Sequence, residues 1–417
     1  MNATTLRNGV LHVEGVALDD IASRYGTPAY VYSRAAITAS YRAFDEAFAS
    51  HPHRICYAVK ANSNLAVLNV LARLGAGFDI VSGGELQRVL AAQGDPARVI
   101  FSGVGKTAAE IRFALETGID CFNVESSSEL ERIDRIAGEI GRRAPISFRV
   151  NPDVDARTHR YISTGLKENK FGVAFADALE LYARARDLRN IDVAGIDFHL
   201  GSKMMDPKPA LEAAEKVFSL LAALASKGIP LRHFDVGGGL GVPYEAGEPE
   251  ADLAAYAEGL LRLFTGRSEM LVFEPGRYLV GNAGLLLTRV EYLKPGEAKS
   301  FAIVDAAMND LIRPALYEAH HEIEPVAPRS PAQAKRWEIV GPVCESADFL
   351  ARDRMLALVE GDLLAVLSAG AYGFVMSSNY NTRGRACEVM IDGESTHLIR
   401  ERETAPLLFC HESMLPF

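Results

Sequence analysis

The sequence predicts an α/β part joined to an all-β part: a (β/α)8 TIM barrel, then a C-terminal antiparallel β domain of sandwich or barrel-like form that also takes in the N-terminal strand. Three observations carry this. Between about residues 54 and 275, eight short apolar runs alternate with helix-patterned stretches. After about residue 280 helix spacing becomes scarce, and strand-like runs separated by turns take over. The chain has 417 residues, too many for one ordinary core. The expected division is 1–33 for an N-terminal strand segment, 34–278 for the barrel and 279–417 for the β domain.

Residues 9–33 read as strand-like, so the N-terminus is expected to pair with the β domain. The barrel runs end at Lys60 and then at 78–82, 99–103, 121–125, 146–151, 195–199, 233–237 and 271–274. Several lack polar alternation, as strands buried on both faces do. The segments between them show helix spacing. Residues 65–74 stop at Gly75 and residues 85–93 stop at Gly94. A doubly wound sheet is the competing reading of the same alternation. In the last third, 285–293, 299–304, 337–340, 362–367 and 386–391 read as strands, and 319–336, with its prolines, reads as a loop.

Composition narrows the class. Hydrophobic content of 48% and charged content of 24% are ordinary for a soluble protein. A net charge of -10 argues against a nucleic-acid binder, which needs a basic face. No apolar run is long enough to span a bilayer, and the first residues lack a basic-then-apolar signal pattern. The five cysteines, Cys56, Cys121, Cys344, Cys387 and Cys410, are scattered. They fit reduced thiols in a cytoplasm rather than a disulfide framework or a metal site.

Lys60 closes a run, 54–60, that reads as a buried strand, so an ammonium stands where a strand leaves the core. Such a lysine either reaches solvent along its stem or performs chemistry. The other strand ends carry Asp79, Glu125, Arg149, Asn151, His199, Ser202, Gly237 to Gly239 and Glu274. Barrels place their chemistry at these ends. A purely structural sheet would more often carry small or apolar residues there. Gly237, Gly238 and Gly239 let backbone N–H groups approach an anion, although three glycines also suit a plain tight loop. They sit too late in the chain for a dinucleotide fingerprint. Glu274 and Arg277, in EPGR at 274–277, read either as a surface ion pair or as partners of a cofactor's ring nitrogen and phosphate. His199 could lie flat on an aromatic ring. A lysine, a phosphate-binding glycine loop, a carboxylate for a ring nitrogen and a stacking histidine together describe a pyridoxal phosphate pocket. A metal-dependent barrel would need His and Asp ligands clustered at strand ends, and the sequence shows no such cluster.

These residues carry a resemblance. YAVKAN at 57–62, FDIVSGGE at 78–85, HLGS at 199–202, GGG at 237–239, EPGR at 274–277, CESAD at 344–348 and AGAYG at 369–373 resemble the diaminopimelate decarboxylases, a family within the alanine-racemase-fold pyridoxal phosphate enzymes. The likeness covers nearly the whole chain, in order. Single motifs are shared with other amino-acid decarboxylases of that group. MNDLIRPALY at 308–317 is more specific, because it supplies Arg313 and Tyr317 for a distal amino-acid end. Phe198 and Leu200 depart from the expected neighbours of His199, but both are apolar swaps.

The resemblance implies decarboxylation of meso-2,6-diaminopimelate at its D-centre to L-lysine, by a homodimer with shared active sites. It implies a Schiff-base role for Lys60 and ring stacking for His199. Ser202, Gly237 to Gly239 and Arg277 fall on the phosphate side, Glu274 on the pyridine nitrogen, and Gly276 among the cofactor-binding residues. Arg277, Arg313, Tyr317, Glu345 and Tyr372 would meet substrate, Tyr372 also touching cofactor. Cys344 would be the proton donor, supplied by the partner chain. The rival enzyme is a decarboxylase of ornithine, arginine or carboxynorspermidine, which needs no clamp for a second α-carboxylate. A non-catalytic homologue acting as a binding protein would have no reason to keep Lys60, Cys344 and Glu274. A cofactor carrier would lack the β domain.

Overall fold

Eight parallel strands close on themselves in the middle of the chain: His53–Ala58, Gly77–Ile80, Val99–Phe101, Cys121–Val124, Ala144–Asn151, Ile191–Asp197, His233–Asp235 and Met270–Phe273. Each pairs with the next, and the eighth pairs with the first through Leu271 opposite His53. This is the predicted barrel, and closure excludes the doubly wound sheet. The computed structural model describes residues 3–154 and 170–416. Two compact units divide the chain: Thr38–Val242 with Pro249–Leu279, and Met1–Ile37 with Pro243–Glu248 and Val280–Phe417.

The barrel helices begin where the sequence supplies caps. Ser82 accepts from Glu85 N, Ser126 from Glu129 N, and Thr107 forms a reciprocal capping box with Glu110. Each cap satisfies an orphan N–H of the first turn and fixes the helix start close behind the preceding strand. Strand alternation then decides what faces the barrel interior. Cys56, Ile100, Cys121, Ala194 and Val272 pack into an apolar cluster. One step further along their strands stand polar residues: Asn123 after Cys121, and Glu274 after Val272. A dry layer thus lies below a polar one, and the polar layer is at the C-terminal strand ends.

In the other unit the long strand Gly284–Lys294 is the hub. It pairs antiparallel with Ala29–Ser33, Phe301–Val304 and Leu363–Val366. Ala29–Ser33 also pairs with Cys387–Asp392, so the N-terminal strand is built into this sheet. Most pairings are antiparallel. Cys387–Asp392 with Ala29–Ser33 and Phe301–Val304 with Lys335–Val340 are parallel. Both faces of the hub are covered. Tyr30, Tyr32, Leu286 and Trp337 pack on one side, and Val31, Leu285 and Leu287 on the other.

Two expectations are corrected here. Residues 9–33 are not all strand: Leu18–Tyr25 is a helix whose Leu18, Ile21 and Ala22 are buried on one face. Asp19 and Asp20 in its first turn favour the helix dipole. Residues 319–336 are not all loop, because Ile323–Pro325 pairs with Leu363–Val366. No helix among the described residues is long and apolar enough to cross a membrane.

Candidate active site at the barrel mouth

Lys60 stands in a 3-10 turn, Val59–Ala61, directly after the first barrel strand. Its Nζ lies 2.7 Å from Asp79 Oδ2 on the second strand. Asp79 is fully buried, whereas the lysine side chain is about a third exposed (35%). Buried charges persist when paired, so Asp79 holds the ammonium at the mouth instead of letting it swing into solvent.

The loop EPGR approaches this turn closely. Ala58 N donates to Pro275 O at 3.2 Å. A Cβ on Gly276 would come within 2.9 Å of Ala61 Cβ and 3.1 Å of Ala58 Cβ, so only glycine lets the two loops meet without displacement. Arg277 follows, 5% exposed, and its Nε donates to Ser202 Oγ at 3.1 Å.

The seventh strand ends in Gly237 to Gly239. Gly237 N donates to Asp235 Oδ1 at 2.8 Å, and Glu274 N donates to Gly237 O at 2.7 Å. Gly238 N donates to His199 Nδ1 at 3.1 Å. A Cβ on Gly238 would fall 2.2 Å from Glu274 O, so any side chain there would push the loop off its neighbour. His199 accepts at Nδ1, so its remaining ring proton sits on Nε2. Burial, and then Arg149 and Lys60, hold the imidazole pKa well below its usual value. The ring is therefore neutral.

Glu274 is 5% exposed and sits in a hydrogen-bonded network. Its Oε1 accepts from Ser102 Oγ at 3.3 Å and from Asn123 Nδ2 at 3.2 Å. Asn123 Oδ1 in turn accepts from Ser147 Oγ. Asp197, Asp235 and Glu274 bring carboxylate oxygens within 4.8 Å of one another. The sequence suggested no cluster of His and Asp ligands at the strand ends; the fold does gather three carboxylates there, with no histidine among them. Burial first, then Asp235, raises the Glu274 pKa well above the carboxylate range, and burial raises Asp235 and Asp197 as well. Like charges this close share protons rather than all ionising. Asp197 Oδ1 is buried and meets no hydrogen-bond donor of the described residues.

The remaining expected residues belong to the other unit. Arg313 is 3% exposed and opens the short helix Arg313–Tyr317, which ends at half-buried Tyr317. Cys344 and Glu345 lie in an exposed loop. That loop is braced by Asp348, which accepts from Met308 N at 2.6 Å and Val343 N at 2.8 Å, and by Asn381 Oδ1, which accepts from Cys344 N at 2.9 Å. Tyr372 has φ of 57°, a left-handed conformation that non-glycine residues rarely adopt. Lys60, His199, Ser202, Gly237 to Gly239, Glu274, Gly276 and Arg277 are thus brought together at one barrel mouth. Asp79, Asp197, Asp235, Ser102, Asn123 and Ser147 join them there. The sequence reading placed Asp79 at a strand end without a role and missed the network around Glu274. For Asp79, Ser102 and Asn123 the available signal was position, at or beside the C-terminal end of a barrel strand, whereas Ser147 lies mid-strand and carried no such signal.

Comparison with known proteins fits this geometry. Residues 34–281 match the family model described as pyridoxal-dependent decarboxylase, pyridoxal binding domain. The fold and the barrel mouth therefore define a pyridoxal-dependent decarboxylase, a lyase. The chain is 62% identical over 416 residues to diaminopimelate decarboxylase of Pseudomonas aeruginosa, covering 100% of both chains. The diaminopimelate decarboxylase of Helicobacter pylori, solved with L-lysine, superposes with a TM-score of 0.91 at 44% identity over 95% of this chain and 99% of that one. The enzyme from M. jannaschii, also solved with L-lysine, gives 0.94 at 37% identity over 99% and 98%. The chain belongs to the diaminopimelate decarboxylase family.

Replacing Asn123 with alanine tests the network. Glu274 should lose its better-anchored donor, kcat should fall by roughly 10-fold, and KM should change little. The absorption of bound cofactor should shift with it. An unchanged spectrum and unchanged kcat would show that the network is only packing.

Proposed function

We propose that this protein decarboxylates meso-2,6-diaminopimelate at its D-centre, releasing CO2 and L-lysine, the last step of bacterial lysine biosynthesis. The observation that carries the reading is the convergence of Lys60, His199, the glycine loop and Glu274 at one barrel mouth. The names of the relatives and the lysine bound in two of them support the choice of substrate.

Pyridoxal 5'-phosphate fits the residues present, within the barrel domain 34–278. The glycine loop is a cradle that side chains would fill, with Arg277 and Ser202 beside it as donors for a phosphate. Bound there, the cofactor would supply an electron sink for the pair left behind by CO2. Lys60 would hold it through its amine, and Asp79 keeps that amine in place. His199 would lay a neutral ring against it. Glu274 would face the ring nitrogen, its Oε1 steadied by Asn123 and Ser102. Gly276 keeps the EPGR loop against the Lys60 turn. Tyr372 would touch cofactor and substrate.

On the substrate side, Arg277, Arg313, Tyr317, Glu345 and Tyr372 would bind its carboxylates and amines. Cys344 would return a proton to the α-carbon that has lost CO2. We place Cys344 in the site of a second copy of the chain, in a homodimer. Mixing inactive Lys60→Ala chains with inactive Cys344→Ala chains should then restore activity, because a hybrid dimer has one site with both residues intact. No recovery despite proven subunit exchange would show that each chain completes its own site. We place the protein in the cytoplasm, which suits its five unbridged cysteines.

The direct test is incubation of the pyridoxal phosphate-loaded protein with meso-diaminopimelate. Lysine and CO2 should appear in equal amounts. Preferential turnover of ornithine, arginine or carboxynorspermidine would overturn the substrate assignment.

A further inference from the structure

We propose that His321 is a positioning residue that aims the Arg313 guanidinium, and that it thereby sets specificity for a substrate with a distal carboxylate. This rests on the reading of Arg313 given above.

The case is built from hydrogen-bond chemistry. A guanidinium has donors only. Arg313 Nη1 lies 2.7 Å from His321 Nε2, so that nitrogen must present a lone pair. On the other side of the ring, Nδ1 lies 2.8 Å from Leu367 O. A carbonyl only accepts, so Nδ1 must carry the proton. Both contacts demand the same neutral tautomer. The imidazole is pinned between a backbone carbonyl and the guanidinium, and it is fully buried.

The anchor is itself fixed. Leu367 N donates to Glu322 O at 2.8 Å, beside His321, and the strands that follow and precede these residues pair through Ile323 opposite Val366. Tyr244 closes the arrangement. Its ring centroid is 4.6 Å from Arg313 Cζ, and it meets the His321 ring edge-on at 5.2 Å. A ring face over the guanidinium limits tilt, and the Nε2 acceptor limits rotation in the plane.

Why this matters is geometric. Arginine binds a carboxylate through two parallel hydrogen bonds, and a fork works only when its plane and direction are set. Histidine orients that fork without neutralising it. A carboxylate at the same place would pair with the charge. The bland alternative is a core histidine that is merely satisfied, and the two readings separate by experiment.

The experiment is a double-mutant cycle in the pyridoxal phosphate-loaded enzyme, reading kcat and KM for meso-diaminopimelate with His321→Leu, Arg313→Ala and the pair. His321→Leu should lose about 10-fold or more in kcat/KM, chiefly through KM. In the Arg313→Ala background the same change should cost under about 2-fold, because nothing remains to be aimed. His321→Gln, which can place an acceptor near the Nε2 position, should recover most of the loss. Melting temperature and cofactor content are followed for each variant. If His321→Leu does not fold, His321→Asn takes its place, since its side chain is too short to reach Nη1 and the same loss is expected. Equal losses in both backgrounds would overturn the proposal. So would normal kinetics for His321→Leu beside a crippled Arg313→Ala. Normal kinetics for Arg313→Ala would instead overturn the underlying reading of Arg313.

Discussion

Lys60→Ala is expected to lose decarboxylation almost completely, on the order of 10⁴-fold or more in kcat, because the proposed covalent tether to the cofactor would be gone. The wild-type protein should be yellow when loaded, and borohydride should fix the cofactor to Lys60. Stability must be separated from chemistry here. Lys60 Nζ is the 2.7 Å partner of fully buried Asp79, so alanine also strips a buried carboxylate of its counter-charge. Lys60→Arg is the control. It keeps a cation for Asp79 and should melt near the wild type, yet it cannot form the same covalent link and should be as inactive as alanine. A reduced cofactor found on another lysine, or turnover surviving in Lys60→Arg, would sink the assignment.

Lys60, His199, Gly237 to Gly239 and Glu274 could be picked out of the sequence for one physical reason. Each follows a short apolar run, and a barrel converts that linear rule into a place: the C-terminal end of a strand faces the mouth. What a linear rule cannot supply is which strand ends become neighbours. Asn123 and Glu274 are far apart in sequence, and their side chains meet across the interior only because the eighth strand closes on the first. The same closure gathers the buried carboxyl groups of Asp197, Asp235 and Glu274 within 4.8 Å of one another.

His321 was hidden differently. It lies in the proline-containing stretch that reads as loop, and its role depends on Leu367 O, reached through a strand pairing of only three residues. The helix Leu18–Tyr25 escaped because it is eight residues long and flanked by strand-like runs, so the spacing of Leu18, Ile21 and Ala22 carried little weight. Short elements are held by tertiary packing more than by their own propensity.

The second large effect concerns Arg313. Diaminopimelate differs from lysine or ornithine by a second α-carboxylate, and a buried guanidinium held by His321 and Tyr244 is suited to receive it. Hydrogen bonds to charged groups contribute roughly 1.5–3 kcal/mol each, so Arg313→Ala should cost about 10²-fold or more in kcat/KM. Some stability should go too, since His321 Nε2 loses its donor and a buried polar atom is left unpaired. Kinetics well below the melting transition separate the two losses. Arg313→Lys should rescue poorly, because an ammonium supplies charge without the planar fork and stacks less well over Tyr244. Cofactor content should stay at the wild-type level in both variants, because the proposed phosphate and ring contacts belong to the barrel residues. Near-normal turnover of diaminopimelate by Arg313→Ala would mean that another group grips the distal carboxylate, and the preference for this substrate over ornithine-type amino acids would lose its basis in Arg313.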